Sequence, residues 1–188
     1  MTIAHLVGFI ADIVWLFIPI RQLRTNYFLF FLVNAITAAI IFIDQLLLIH
    51  PANFYLGQGI FLILSLYKLE RKPSHILIIA VAFVISVSLP FFLSIHTITL
   101  ILILEHMIIF TIILKKVVIY INQYLRLNFF HFLLLLLEIT MATRFYVVIE
   151  NIRTGIIFFY ISSAFGIIIG IFFLFYNEKN SPAFSLKK

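Results

Sequence analysis

Cysteine is absent from the 188 residues. That removes disulfides, thiolate metal sites and cysteine nucleophiles together. Charge is scarce as well: 11% of the residues are Asp, Glu, Lys or Arg, against about a quarter in an ordinary soluble domain. A chain that is 64% hydrophobic, with a mean hydropathy of +1.22, has too few polar groups to cover its own surface in water. Lipid has to be the solvent over most of that surface, and in lipid the backbone must satisfy its own hydrogen bonds.

Further absences narrow the function. The sequence has no Gly-x-Ser-x-Gly elbow, no Gly-rich phosphate loop and no His-Glu-x-x-His, so the common hydrolase, nucleotide and zinc-protease chemistries lack their residues. Nothing resembles an ion-selectivity filter. No Lys lies inside an apolar run, which disfavours a retinal-type Schiff base. The first apolar run has neither a basic leader nor a small-residue cleavage site, so it reads as a span and not as a signal peptide. The formal charge of +6 sits in short connections and not on a basic stripe with interleaved aromatics, so no nucleic-acid partner is expected. His5, His50 and His96 read as boundary histidines, and no metal or cofactor is expected.

What remains is a series of apolar runs. Spans at 3–20, 27–49, 52–67, 75–95, 97–114, 129–149 and 155–176 read as an all-α integral membrane protein, a seven-transmembrane-helix bundle. Residues 1–176 form one transmembrane domain and 177–188 a polar cytoplasmic tail. The third run is short for a crossing, and Pro90 predicts a kink near the end of the fourth. The mixed stretch with Asn122, Gln123, Arg126 and Asn128 either extends the fifth helix or lies in the interface.

Basic residues set the orientation. Arg21 and Arg24 follow the first span, Lys68, Arg71 and Lys72 the third, and Lys115, Lys116 and Arg126 the fifth. Lys179, Lys187 and Lys188 follow the seventh, while the opposite connections hold only Arg153. The positive-inside rule then places the N-terminus outside and the C-terminus in the cytoplasm. The expected location is the cytoplasmic (plasma) membrane, with the lipid bilayer as first partner.

The chain also echoes itself. Gly59-Ile60-Phe61 recurs as Gly170-Ile171-Phe172, and Asn26-Tyr27-Phe28 is echoed by Asn128-Phe129-Phe130. Asp12 precedes Arg21 much as Glu105 precedes Lys115. Spans one to three would match spans five to seven, with span four as linker: a 3+1+3 parallel repeat. This layout resembles the plan of the PQ-loop and sugar-facilitator (SWEET-type) proteins. The Pro-Gln pair of those families is missing, because Pro19 is followed by Ile20, Arg21 and Gln22 and the fifth span has no Pro. No functional residue is carried over from them.

Four acidic residues, Asp12, Asp44, Glu105 and Glu138, lie inside predicted spans. A charge at mid-bilayer costs about 2.5–3.5 kcal/mol even on lenient scales, so such groups pair, face the bundle interior or stay protonated. Asp12, Glu105 and Glu138 fall near the midplane, and Asp44 and Arg144 in the outer third. Asp44 with Arg144 is an expected ion pair. Asp12, Glu105 and Glu138, with His131 and Asn34 on neighbouring faces, are the expected substrate or proton site. Ser162, Gly166 and Gly170, spaced by four, form a ridge for close helix packing, within the fold or against a homo-oligomer or partner membrane subunit.

The favoured reading is a small-solute or proton-coupled carrier with a polar midplane cavity. The alternative is a non-catalytic sensor or accessory subunit, in which the same carboxyls are interhelical hydrogen-bond donors. An intramembrane acid-base enzyme using Glu105, His106 or Glu138 comes third, since no nucleophile or metal set accompanies them; no catalytic residue is assigned.

Overall fold

A computed structural model describes residues 3–47, 52–67, 73–150 and 155–186. Seven α-helices account for nearly all of these: α1 (Ile3–Arg21), α2 (Phe28–Leu47), α3 (Ala52–Leu66), α4 (Pro73–Ser88), α5 (Ile95–Tyr124), α6 (Phe129–Ile149) and α7 (Gly155–Phe175).

Local chemistry explains the helix ends. Pro90 lacks an N–H, so α4 stops at Ser88 and passes into a short 3-10 turn over Leu89–Phe91. The fourth expected span, 75–95, is therefore cut short, because a fresh helix begins at once. The Ser94 hydroxyl accepts from the backbone N–H of Thr97 at 3.2 Å and caps α5. α5 then runs for 30 residues, about 45 Å at 1.5 Å per residue. Asn122 and Gln123 therefore extend this helix. It ends at Leu125, in a left-handed conformation at φ 50°. Asn128 caps α6 by accepting from Phe130 N–H at 2.9 Å.

One departure from an all-α fold lies in the tail. β1 (Arg126–Asn128), between α5 and α6, pairs antiparallel with β2 (Ala183–Ser185). The polar tail is thereby strapped across the bundle end. Phe129 N–H donates to Pro182 C=O at 3.0 Å, and Phe130 N–H donates to the Ser181 hydroxyl at 2.9 Å. The Phe129 N–H, in the first turn of α6, has no partner in its own helix and is satisfied by the tail, whereas the Phe130 N–H is shared between the Asn128 cap and Ser181.

Six of the helices close a ring in the order α1, α2, α3, α5, α6, α7 and back to α1, while α4 stands outside, packed on α3. The densest core lies at the end of the ring that carries the tail, hereafter the tail end. Ile18, Tyr27, Phe30, Phe31, Phe130 and Phe173 are at most 1% exposed there. Their rings meet edge to face or tilted: Phe31–Phe173 and Phe130–Phe173 at 5.0 Å, Tyr27–Phe130 at 5.2 Å. Among the described residues, the far end holds a small apolar cluster of Leu56, Ile98 and Leu102.

The outside of the molecule is apolar. Phe91, Phe92 and Ile95 are 81%, 83% and 70% exposed, a surface that water would not tolerate and lipid would. Among the described residues, three helices are long and apolar enough to cross a membrane: Ile95–Tyr124, Phe129–Ile149 and Ile157–Phe175. Shorter apolar helices cover Phe28–Ile41, Tyr55–Leu66 and Leu77–Phe91. These features fit a membrane protein with transmembrane helices.

Candidate functional site: a polar layer inside the ring

Polar side chains lie at three successive seams of the ring, α2–α3, α3–α5 and α5–α6. On α5, successive residues point about 100° apart, so Glu105 and His106 serve different seams. His106 turns to α6, where its Nδ1 lies 2.6 Å from Glu138 Oε2, with both side chains buried. The Phe145 ring stacks over the His106 imidazole at 5.5 Å, and Tyr55 packs on Phe145 at 5.8 Å.

Glu105 turns to α3. The facing residue is Gly59, and a Cβ there would overlap the Glu105 carboxyl. Glu105 is 6% exposed, and its Oε2 has no hydrogen-bond partner among the described residues. One residue before Gly59, Gln58 donates its amide to Asn34 Oδ1 at 2.8 Å, and Asn34 donates to Phe30 C=O at 3.0 Å. An amide bridge thus ties α2 to α3 beside the Glu105 seam.

Asp12 lies on α1, half-buried, within electrostatic range of Arg144 on α6. The Arg144 guanidinium sits 3.9 Å from the centre of the Phe159 ring of α7, a cation–π contact worth more away from water. The expected partner Asp44 lies on α2, but its side chain is outside the described residues, as is that of His5.

His131 sits elsewhere, near the tail end. It packs against Tyr27 at 5.5 Å and Phe130 at 5.7 Å, and its Nδ1 is buried without a hydrogen-bond partner among the described residues. Lys116 Nζ lies over the Tyr27 ring at 4.6 Å. Of the residues expected to form one site, the structure groups Glu105, Glu138 and Asn34 within one set of packed helices. It sets Asp12 beside Arg144 and His131 in the aromatic layer.

The small-residue ridge of α7 divides similarly. A Cβ at Gly170 would lie 2.7 Å from Val14 Cγ1 and 3.5 Å from Trp15 Nε1 of α1, whereas one at Gly166 would meet nothing within 4 Å among the described residues. Ser162 is buried and donates to Phe159 C=O at 3.0 Å in its own helix.

Sequence reasoning left two contributors out of the site. His106 was weighed only as an acid-base group, because adjacency to Glu105 says nothing about a partner on α6. Gln58, between two glycines, carried a usable signal: a lone amide in an apolar run needs a partner, and Asn34 is the nearest equivalent on the preceding span. Gln22 stands between the basic residues Arg21 and Arg24 and lies at the tail end, outside the polar seams. It is in fact fully buried, and its amide donates to Phe173 C=O and Tyr176 C=O, both at 2.9 Å, satisfying last-turn carbonyls of α7.

The fold and site define a class no finer than a helical membrane protein with a buried polar layer. No family model, curated protein or solved structure matches the chain.

Proposed function

We propose that the chain is a seven-span membrane protein, N-terminus outside and C-terminus in the cytoplasm, that carries a small solute through the six-helix ring. The observation that carries this reading is the buried Glu105 carboxyl, whose Oε2 has no partner among the described residues, in a ring whose neighbouring seams hold the His106–Glu138 and Asn34–Gln58 pairs. A bundle built only to be stable has no use for an unpaired carboxyl at that depth.

The order of neighbours supports the parallel repeat. If α1, α2 and α3 correspond to α5, α6 and α7, the contacts α1–α2, α2–α3 and α3–α5 map onto α5–α6, α6–α7 and α7–α1. Gly59 stands at the α3–α5 seam and Gly170 at the equivalent α7–α1 seam. α4 takes the place of the linker. Such repeats give carriers two halves that rock about a central site.

Uptake into proteoliposomes across a panel of small solutes, at several pH values, tests the proposal. Uptake that depends on pH in the native chain and loses that dependence in Glu105→Gln is expected. No uptake for any solute would overturn it. The competing reading, a sensor or accessory subunit, is favoured by one observation: His106 and Glu138 already satisfy each other. It gains if the chain co-purifies stoichiometrically with another membrane subunit and moves nothing.

A further inference from the structure

We infer that Glu105 is a proton-binding site, and that the notch left by Gly59 is the pocket in which its protonated carboxyl is stored. This deepens the carrier reading by naming the coupling ion.

The argument begins with space. Any side-chain atom at residue 59 would occupy the volume of the Glu105 carboxyl, so that carboxyl is packed directly against the α3 backbone. A hard metal ion needs about six oxygen ligands around it, and an organic amine needs room for a carbon skeleton. Neither fits between a carboxyl and a glycine in contact. A proton needs no volume of its own.

The second step concerns charge. Titratable or charged groups on the elements packed against α5 are Tyr55 of α3, His131, Glu138, Arg144 and Tyr146 of α6, and Arg126 of β1. On α5 itself they are His96, His106, Lys115, Lys116, Tyr120 and Tyr124. None is hydrogen-bonded or ion-paired to Glu105 among the described residues. His106, the nearest in sequence, is engaged by Glu138 at 2.6 Å. An ionised carboxylate left unpaired in an apolar seam is expensive, and the side chain avoids that cost by holding a proton.

The third step is mechanical. Losing the proton makes the notch unfavourable for Glu105, and its carboxylate must turn toward polar neighbours. The amide bridge of Asn34 and Gln58 starts one residue before Gly59 on α3, and the His106–Glu138 pair lies on the α5–α6 seam. The α3–α5 contact then loses the group that fills it. Protonation state is thereby tied to the packing of one ring seam, and the glycine is what makes the tie possible.

Infrared difference spectroscopy on the full chain in liposomes, with pH stepped upward from neutral, tests this. The native protein should show the C=O stretch of a protonated carboxylic acid in an apolar setting, and that band should disappear as the pH rises. Glu105→Gln should remove it, whereas Glu138→Gln should leave it. Gly59→Ala, which pushes the carboxyl out of the notch, should shift the band. A native chain without the band, a full band in Glu105→Gln, or an unshifted band in Gly59→Ala would each overturn the proposal, and the first and third need no folded Glu105 variant. The band present with no solute uptake leaves the proton site standing and the carrier reading refuted. pH-dependent uptake with no such band does the reverse.

Discussion

The two ends of the helix ring are built on different principles. At the tail end, large aromatic side chains fill the space between helices, and the tail closes over them. Asn26 donates from its backbone and side chain to Glu178 Oε1 at 3.1 and 2.6 Å, Asn128 donates to Glu178 C=O at 3.1 Å, and Arg21 Nε donates to Phe175 C=O at 3.1 Å. From mid-depth to the far end, the seams are lined by glycine and polar groups, and the apolar cluster is small. In lipid, burial of apolar surface gives helices little reason to associate, so packing and hydrogen bonds decide where the bundle is firm. Among the described residues the tail end is the more densely packed part of the molecule, and the proposed proton site lies outside it.

That contrast can be broken most directly by truncating one side chain at each end. Phe130→Ala should cost about 3–5 kcal/mol, read as a lowered unfolding midpoint in detergent, and Leu102→Ala about 2 kcal/mol. Equal losses would remove the distinction between the ends. Glu138→Ala leaves the buried His106 Nδ1 without its partner and should cost about 2–3 kcal/mol. A neutral result would mean the pair does not form.

Gly59→Ala overpacks the α3–α5 seam and should cost about 1–3 kcal/mol. Most of this should return when Glu105→Ala is added, a coupling that a double-mutant cycle measures; strictly additive losses would show that the two residues do not touch. Gln22→Leu removes both donors to the α7 carbonyls and should cost about 1–2 kcal/mol, with proteolysis of the tail as a second readout. Smallest is Gly166→Ala. Among the described residues nothing lies within 4 Å of the new methyl, so the variant should gain up to about 1 kcal/mol from helix propensity. A loss there would place a neighbouring molecule on that face.

Much of the helical plan could be read along the chain, because a run of apolar residues bounded by charge has few structural options. The helices at 129–149 and 155–175 begin and end within a residue of the apolar runs there. The fourth run misled at its end, since Pro90 stops a helix that hydropathy alone continues. The strapped tail was not legible either. Residues 183–185 pair with 126–128 across a long stretch of chain, and no local pattern announces a partner that distant. Within the site, Glu105 and Glu138 stood out because a carboxyl in an apolar run is costly. Their separate seams did not, because direction around a helix has meaning only once its neighbours are known.

The sequence by itself determined the solvent of this protein, its helical backbone and the residues that could not be left to lipid. Composition and periodicity are sums over neighbours in the chain, and those sums need no fold. Only the tertiary structure decided that His106 meets Glu138, that Gln58 meets Asn34, and that Glu105 rests against a residue with no side chain. Each of these depends on which helix stands beside which and on their rotation about their own axes, and those are set by packing of the whole ring at once.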